Sequence, residues 1–194
     1  MGQVFERLDG RLRAFLAAQH IFFVATAPRS DDGLVNVSPK GYADTFAVLD
    51  DITVAYLDLT GSGIETVAHV RENGRLTMMF CSFDRTPRIV RLYGRAEVVT
   101  REDDRWVPLL EHFAPHPGAR SVVVLHVQRI ADSCGYAVPR YDYAGERDVL
   151  ERAHQRKGSR SLAAYRAQRN AESLDGLPGL PPPAGPHRAE TSSS

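Results

Sequence analysis

Apolar and polar residues alternate in short runs along the first two thirds of the chain. Six runs are rich in β-branched and aromatic side chains, which is typical of β-strands. They cover residues 20–27, 34–41, 52–59, 75–82, 88–100 and 120–130. Turn formers such as Asp32-Gly33 and Pro117-Gly118 separate the runs. Because few helices intervene, the pattern favours a mainly β, antiparallel barrel with flanking helices over a doubly wound parallel sheet.

Helical spacing of apolar residues appears at both ends of the chain and twice between the strands. The predicted helices cover residues 4–18, 63–73, 101–113, 146–156 and 161–172. The second starts at a capping box, with Ser62 and Glu65 three residues apart, and Asn73-Gly74 ends it. The predicted organisation is an N-terminal helix (1–18), a barrel domain (19–131), a helical extension (132–177) and a flexible tail (178–194).

Composition excludes several classes of function. The 24 basic residues balance the 24 acidic ones, which argues against a nucleic-acid binder. The chain has neither an apolar run of bilayer length nor the features of a secretory signal, so we expect a cytoplasmic protein without membrane contact. Only two cysteines occur, and Pro115 and Pro117 break the helix that would align His112 with His116. No metal site is predicted.

The second strand-like run carries the most informative polar pattern. Side chains alternate across a strand, so Asn36, Ser38 and Lys40 share one face. Hydrogen-bond donors that end in a cation suit an anionic ligand such as a phosphate, although a solvated outer face has the same pattern. Only two of the 24 basic residues are lysines, Lys40 and Lys157. Lysine at position 40 is therefore consistent with a need for a compact cation.

A glycine-rich loop directly precedes the helix predicted at 63–73. Glycines let backbone N–H groups approach a ligand, and a helix N-terminus favours negative charge. Thr60, Ser62 and Thr66 can add hydroxyl donors to such a site. Alternatively, Ser62 and Glu65 only cap the helix. In the fifth run, Arg91 shares a face with Ile89, Tyr93, Arg95 and Glu97; the alternate set from Val90 to Val98 is expected to face the barrel interior.

Taken in order, these residues resemble the pyridoxamine 5′-phosphate oxidase family, the flavin-binding split β-barrels. The resemblance runs from about residue 20 to 130. It rests on Val-Asn-Val-Ser-Pro-Lys-Gly at 35–41, Val-Ala-Tyr-Leu-Asp at 54–58, Arg-Glu-Asn-Gly-Arg-Leu at 71–76 and Pro-Arg-Ile-Val-Arg-Leu-Tyr-Gly-Arg-Ala at 87–96. The chain is similar to an uncharacterised branch of that family.

The resemblance implies a six-stranded antiparallel split barrel that forms a homodimer, with one FMN in each of two clefts at the interface. The strand from Asn36 to Lys40 would lie along the flavin, with the backbone of Val37 and Ser38 near the ring. Lys40 would meet the phosphate. The hydroxyl-bearing residues around the first crossing helix, Thr60, Ser62 and Thr66, would complete the phosphate site, and Arg91 falls near another flavin-contacting strand.

The chain also departs from the oxidase that gives the family its name. That oxidase has adjacent basic residues at the start of the crossing helix, where this chain has Glu65-Thr66. The C-terminal substrate signature with its Trp and Arg is absent, which argues against pyridoxamine phosphate as substrate. We therefore expect an FMN-dependent oxidoreductase that uses reduced nicotinamide or a small-molecule substrate. A flavin or haem storage protein and an F420-dependent reductase are the alternatives; no catalytic acid or base is evident.

Overall fold

The computed structural model describes residues 2–181. Eight strands and four helices make up this part of the chain. In chain order they are β1 (Val4–Phe5), α1 (Gly10–Ala17), β2 (Phe22–Thr26), β3 (Asn36–Lys40), β4 (Phe46–Val48), β5 (Thr53–Leu59), α2 (Glu65–Asn73), β6 (Arg75–Cys81), β7 (Ile89–Val99), α3 (Trp106–Leu110), β8 (Ala119–Ser133) and α4 (Val149–Arg169).

All strand pairings are antiparallel and join the strands into one sheet, in the order β3-β2-β6-β7-β8-β5-β4, with β1 added to β8. β3 and β4 are the two ends of this path. The predicted mainly β, antiparallel split barrel is therefore confirmed, and each of the six predicted runs forms a strand. The sheet has eight strands instead of six because two short ones are added. β4 has three residues, too few to show a period, and β1 (Val4–Phe5) lies within the predicted helix 4–18, which in the structure begins only at Gly10.

The main core lies inside the curled sheet and is closed by α1. Leu8, Leu12 and Leu16 pack there with strand residues such as Val24 and Val90, all of them almost fully buried. A second apolar cluster forms around Trp106 and Phe113 on the other side of β5 and β8. Burying apolar surface is the main favourable contribution to folding, so the N-terminal helix and the barrel stabilise each other through one core.

The long strand β7 alternates as its sequence predicts over most of its length. Val90, Leu92 and Ala96 are buried, whereas Tyr93 and Arg95 are exposed. A register shift against β8 follows Tyr93, at Gly94. A Cβ atom on Gly94 would lie 2.0 Å from the carbonyl oxygen of His126, so only glycine permits this close approach of β7 and β8.

Several helix boundaries differ from the sequence-based prediction. The capping box is wrong: α2 begins at Glu65 with Ile64 as its N-cap, and the Glu65 carboxylate accepts from the Ile64 N–H. Its predicted end is confirmed, because Gly74 takes a left-handed conformation with φ +70°. α3 is only five residues long. The two predicted C-terminal helices are confirmed as the two segments of α4, which the non-helical Gly158 with φ +68° separates.

The C-terminal region returns to the barrel. Leu162 and His154 of α4 are buried against it, and the chain after α4 packs beside α2, where Arg71 donates to the carbonyl oxygen of Gly179. Residues 178–181, the start of the predicted tail, lie along residues 170 and 171, and residues from 182 onward lie outside the described part. No helix among residues 2–181 combines the length and apolar character needed to cross a membrane.

Candidate functional site

β3 lies at one end of the sheet and exposes one of its two faces. Val35 and Val37 are 72% and 63% exposed, whereas Asn36, Ser38 and Lys40 are half-buried on the opposite face. The alternation inferred from the sequence is thus confirmed. Because β3 pairs only with β2, its other backbone edge has no strand partner among the described residues. Proline is tolerated at such an edge, as Pro39 illustrates.

Lys40 is part of a buried charge network. Its Nζ atom lies 3.2 Å from Oδ1 of Asp58, whose side chain is only 2% exposed. Nε of Arg120 lies 2.6 Å from Oδ2 of the same carboxylate. Burial alone would raise the pKa of Asp58, but the charges of Arg120 and Lys40 outweigh it and hold this pKa at about 2. The carboxylate therefore stays ionised, and the three side chains together carry one net positive charge.

Asn36 and Ser38 belong to a hydrogen-bonded cluster beneath β3. Nδ2 of Asn36 donates to the hydroxyl oxygens of Thr26 and Thr66, at 3.1 and 3.0 Å. The Ser38 hydroxyl donates to Oδ1 of Asn36 at 3.0 Å. Thr66 is buried at the start of α2. The structure thus brings Asn36, Ser38 and Thr66 together, as the predicted site requires. Their side chains form hydrogen bonds mainly with one another.

The loop between β5 and α2 is held from the inside of the fold. The buried Thr60 hydroxyl donates to the carbonyl oxygen of Gly118 at 2.7 Å. Nη2 of Arg120 donates to the carbonyl oxygen of Gly63 at 2.9 Å. Nδ2 of Asn170 donates to that of Gly61 at 3.0 Å. Ser62 remains exposed at the loop surface. Arg120 and Asn170 therefore fix the loop whose backbone the sequence predicts to bind a ligand.

Sequence reasoning missed Arg120 and Asn170, although a signal existed for the first. Asp58 is the charged residue of β5, which is buried along almost its whole length, and Arg120 is the charged residue of the buried first half of β8, residues 119–125. A charge in such a strand needs a partner, so the two could have been paired in advance. Asn170 carries no such signal, because its partners lie on distant elements.

Arg91 lies away from the corner of the fold where Lys40 at the end of β3 meets the loop before α2. Two strands, β2 and β6, separate β7 from β3. Nη1 of Arg91 donates to the Ser133 hydroxyl at 3.0 Å. Within one chain, the structure does not bring Arg91 together with Lys40.

A groove of about 690 Å³ opens beside Lys40. The barrel contributes Leu57 and Leu59 to one wall, and residues 145–153 form the other. The second wall is attached to the barrel at two places: the rings of His20 and Tyr143 stack at 3.6 Å, and the Tyr42 hydroxyl donates to the carbonyl oxygen of Arg147 at 2.6 Å. A smaller pocket of about 300 Å³, lined by aromatic residues of the core, also reaches Lys40.

The sequence profile of the pyridoxamine 5′-phosphate oxidase family matches residues 8–134, which span α1 to the end of β8. Among curated proteins, the chain is similar to the pyridoxamine 5′-phosphate oxidase family protein ustO of Aspergillus flavus. The two are 41% identical over 192 residues, which cover 91% of this chain and 77% of that protein. The chain belongs to the pyridoxamine 5′-phosphate oxidase family.

One solved structure shares the fold at lower identity, and a second has a weaker similarity. A variant of the protein HupZ from group A Streptococcus gives a TM-score of 0.52 with 22% identity, covering 65% of this chain and 99% of that chain. An FMN-binding protein from Syntrophomonas wolfei gives a TM-score of 0.48 with 17% identity, covering 62% of this chain and 82% of that one.

Tyr56 lies in the barrel directly beneath Lys40. Its ring centroid is 5.4 Å from Nζ of Lys40, and the side chain is fully buried. Among the described residues its hydroxyl has no hydrogen bond of normal geometry and only a looser contact with the Thr66 side chain. Burial, followed by the charge of Asp58, raises the pKa of Tyr56 well above its usual value, so the hydroxyl is a neutral donor. A buried hydroxyl without a well-formed hydrogen bond is uncommon.

His154 attaches α4 to the back of the same loop. Its Nε2 atom lies 2.8 Å from the carbonyl oxygen of Thr60, and the residue is 5% exposed. Burial lowers the pKa of His154, which keeps the ring neutral, so Nε2 carries the hydrogen that it donates. A Cβ atom on Gly118 would lie 1.9 Å from Nδ1 of His154, and the ring therefore fits only because residue 118 is glycine.

Proposed function

We propose that the protein is an FMN-binding flavoprotein and an oxidoreductase that acts on a small-molecule substrate, with reduced nicotinamide as one candidate. The observation that carries the proposal is Lys40, which lies at the end of an unpaired sheet edge and faces a groove of about 690 Å³. A volume of about 300–1,000 Å³ is typical of pockets for small molecules and cofactors. Family membership supplies the cofactor class.

The charge at the groove suits a phosphate. Asp58 neutralises only one of the two cations that contact it, so one positive charge remains beside the groove. Lys40 is 21% exposed and Arg120 only 6%, which makes Lys40 the cation that a ligand can reach. The partly buried position strengthens the attraction, because water screens such a charge less than a surface one.

The residues of the corner fit the proposed cofactor in different ways. The edge of β3 offers backbone groups near Val37 and Ser38 to the flavin ring, and Lys40 with the exposed Ser62 can bind the phosphate. Thr60 and Thr66 are buried, so they support the loop and helix from behind unless their hydroxyls exchange partners. Arg91 belongs to this site only if another subunit supplies it.

When bound, FMN would supply the hydride-transfer chemistry. The chain's part is to hold the cofactor at the edge of β3, position Lys40 through its ion pair with Asp58, and exclude water with residues 145–153. No side chain is assigned as an acid or base.

A homodimer with its clefts at the interface is part of the proposal. The exposed apolar residues Leu34, Val35 and Val37 at the outer edge of β3 support it, with exposed fractions of 55%, 72% and 63%. An exposed apolar strip on an unpaired strand is a surface that association would cover. We include the predicted cytoplasmic setting in the same proposal.

The purified full-length protein tests the cofactor directly. Flavin absorbance, with FMN released on denaturation, is expected, and sedimentation should give twice the mass of the chain. Anaerobic mixing with reduced nicotinamide should bleach the flavin band. Flavin that stays oxidised with every reductant would favour storage, whereas haem or F420 absorbance would replace the FMN assignment. A protein that binds none of the three would refute the proposal.

Lys40→Met tests the phosphate contact, with Lys157→Met as its matched control. Lys157 is the other lysine of the chain and lies on the exposed part of α4. Loss of one charged hydrogen bond is worth about 1.5–3 kcal/mol, so the Lys40 variant should bind FMN about 10- to 100-fold more weakly. The Lys157 variant should bind as the wild type does. Equal affinity in both variants would remove Lys40 from the site.

A further inference from the structure

A third and still smaller pocket lies where the end of β7, the start of β8 and α4 meet. It has a volume of about 90 Å³ and is lined by three arginines, Arg101, Arg120 and Arg166, together with Glu102 and Leu180. The pocket is separate from the groove at Lys40, and the two share no lining residue. Three guanidinium groups around so small a space require a physical explanation.

Two of these guanidinium groups converge on one backbone oxygen. Nη2 of Arg101 and Nη1 of Arg166 donate to the carbonyl oxygen of Ala119, at 3.1 and 3.2 Å. Like charges held this close repel each other, although water screens the exposed Arg101 more than the half-buried Arg166. Burial, then the charges of Arg101 and Arg120, lowers the pKa of Arg166 accordingly. A single carbonyl dipole does not compensate two full charges.

The acids near the pocket leave this charge unbalanced. Neither Arg101 nor Arg166 forms an ion pair with any residue between 2 and 181. Asp58 is already bound to Arg120, and Glu102 accepts from the Thr100 hydroxyl at 2.7 Å. Three arginines against Glu102 and Asp58 leave one net positive charge at the pocket.

The donors of the pocket are also only partly used. Arg166 donates through Nη1 alone, and Arg101 through Nη2 alone, within the described chain. Each guanidinium carries five N–H groups, so both keep donors for a further acceptor. A single bound water needs a cavity of about 10–15 Å³. The pocket volume of about 90 Å³ is therefore sufficient for an anion of a few heavy atoms.

We propose that this pocket binds a small oxyanion, a phosphate or a carboxylate, held by Arg101 and Arg166. An anion with two or more oxygens can offer each guanidinium group its own acceptor atom, which a single-atom halide cannot do. The bound anion would join the end of β7 to α4 and offset the repulsion between the two arginines. The proposal does not depend on a flavin at Lys40.

The only tryptophan of the chain provides a local signal for binding. The guanidinium carbon of Arg101 lies 5.7 Å from the ring centroid of Trp106, which is 8% exposed. A cation at that distance interacts with the face of the indole ring. An anion that draws Arg101 into the pocket will change the environment of Trp106 and with it the fluorescence.

The test is a fluorescence titration of the full-length protein at constant ionic strength, with chloride as the background salt. Inorganic phosphate and acetate are added in separate arms, which distinguish a tetrahedral from a carboxylate ligand. A saturable change with either anion supports the site. No change with both, or a linear change that chloride reproduces, overturns it.

Arg166→Gln should raise the half-saturating concentration about tenfold or more, the equivalent of one charged hydrogen bond. Arg160→Gln is the matched control, because Arg160 is exposed on the same helix. If the Arg166 variant does not fold, Arg101→Gln replaces it, because residue 101 is exposed. The measurement is then the rise in unfolding temperature on adding the anion, which should be smaller in this variant than in the wild type. An equal loss in the Arg160 variant would overturn the site. So would competition between phosphate and FMN, because the pocket would then be the cofactor's own phosphate site.

Discussion

Replacing Asp58 with asparagine should destabilise the fold much more than removing an exposed charge. The carboxylate accepts from Lys40, Arg120 and Ser121, at 3.2, 2.6 and 3.2 Å. Asparagine keeps the shape but leaves two cations side by side without their counter-charge. Removing one partner of a buried pair costs about 3–5 kcal/mol. Because Lys40 is 21% exposed and can turn toward the groove, we expect the lower end, about 3 kcal/mol.

The pKa of Asp58 gives an independent magnitude and a pH signature. It is about 2 in the folded protein, against an ordinary value of 3.8. Since this pKa is lowered on folding, the ionised carboxylate stabilises the protein above about pH 4, and that stability is lost as the pH falls from about 4 toward 2. The difference corresponds to about 2 kcal/mol. Wild type should therefore lose more stability in this pH window than Asp58→Asn does.

Urea unfolding at neutral pH and at about pH 3 measures both effects. With a slope of about 2 kcal/mol per molar urea, a loss of about 3 kcal/mol moves the midpoint by about 1.5 M. Asp51→Asn is the matched control, because the Asp51–Arg13 pair has a distance of 2.8 Å but 58% and 36% exposed side chains. Exposed pairs contribute about 0–1 kcal/mol. If both variants lose the same stability, the buried network does not stabilise the protein as argued.

Two further substitutions test how the C-terminal region is attached. Gly118→Ala should push the His154 ring off the barrel, lower the unfolding free energy by about 1–3 kcal/mol and speed the proteolysis of α4. Gly10→Ala is the control and should not destabilise the protein, because nothing lies within 4 Å of the added Cβ atom. Similar losses of stability in the two variants would contradict the steric argument. Asn170→Ala removes bonds to Arg120 and Gly61 and should cost about 1–3 kcal/mol in urea unfolding. The neighbouring exposed Gln168→Ala should cost less than about 0.5 kcal/mol, and an equally stable Asn170 variant would mean that water replaces its partners.

The strands were predictable because each one carries its own pattern. Half-buried or fully buried runs of five or more residues show a period or an apolar stretch that sequence alone reveals. β4 has only three residues and shows neither a period nor an apolar stretch. The error at α2 has a different origin: Ser62 has the right spacing for a capping box, but Arg120 and Asn170 bind the carbonyl oxygens of Gly61 and Gly63 and fix the loop in another conformation. A tertiary contact from a distant strand thus overrode a local signal.

By itself, the sequence determined the strand content, the two-faced pattern of β3 and the lysine at its end, because these depend on the order of neighbouring residues. Only the tertiary structure decided which charges meet. Asp58, Arg120 and Asn170 are 50 or more residues apart along the chain, yet they lie within hydrogen-bond distance. Buried charges need partners, but their identity depends on strand order and register, which local sequence does not encode. The charge available at Lys40, and with it the strength of any anion site there, is therefore a property of the folded chain.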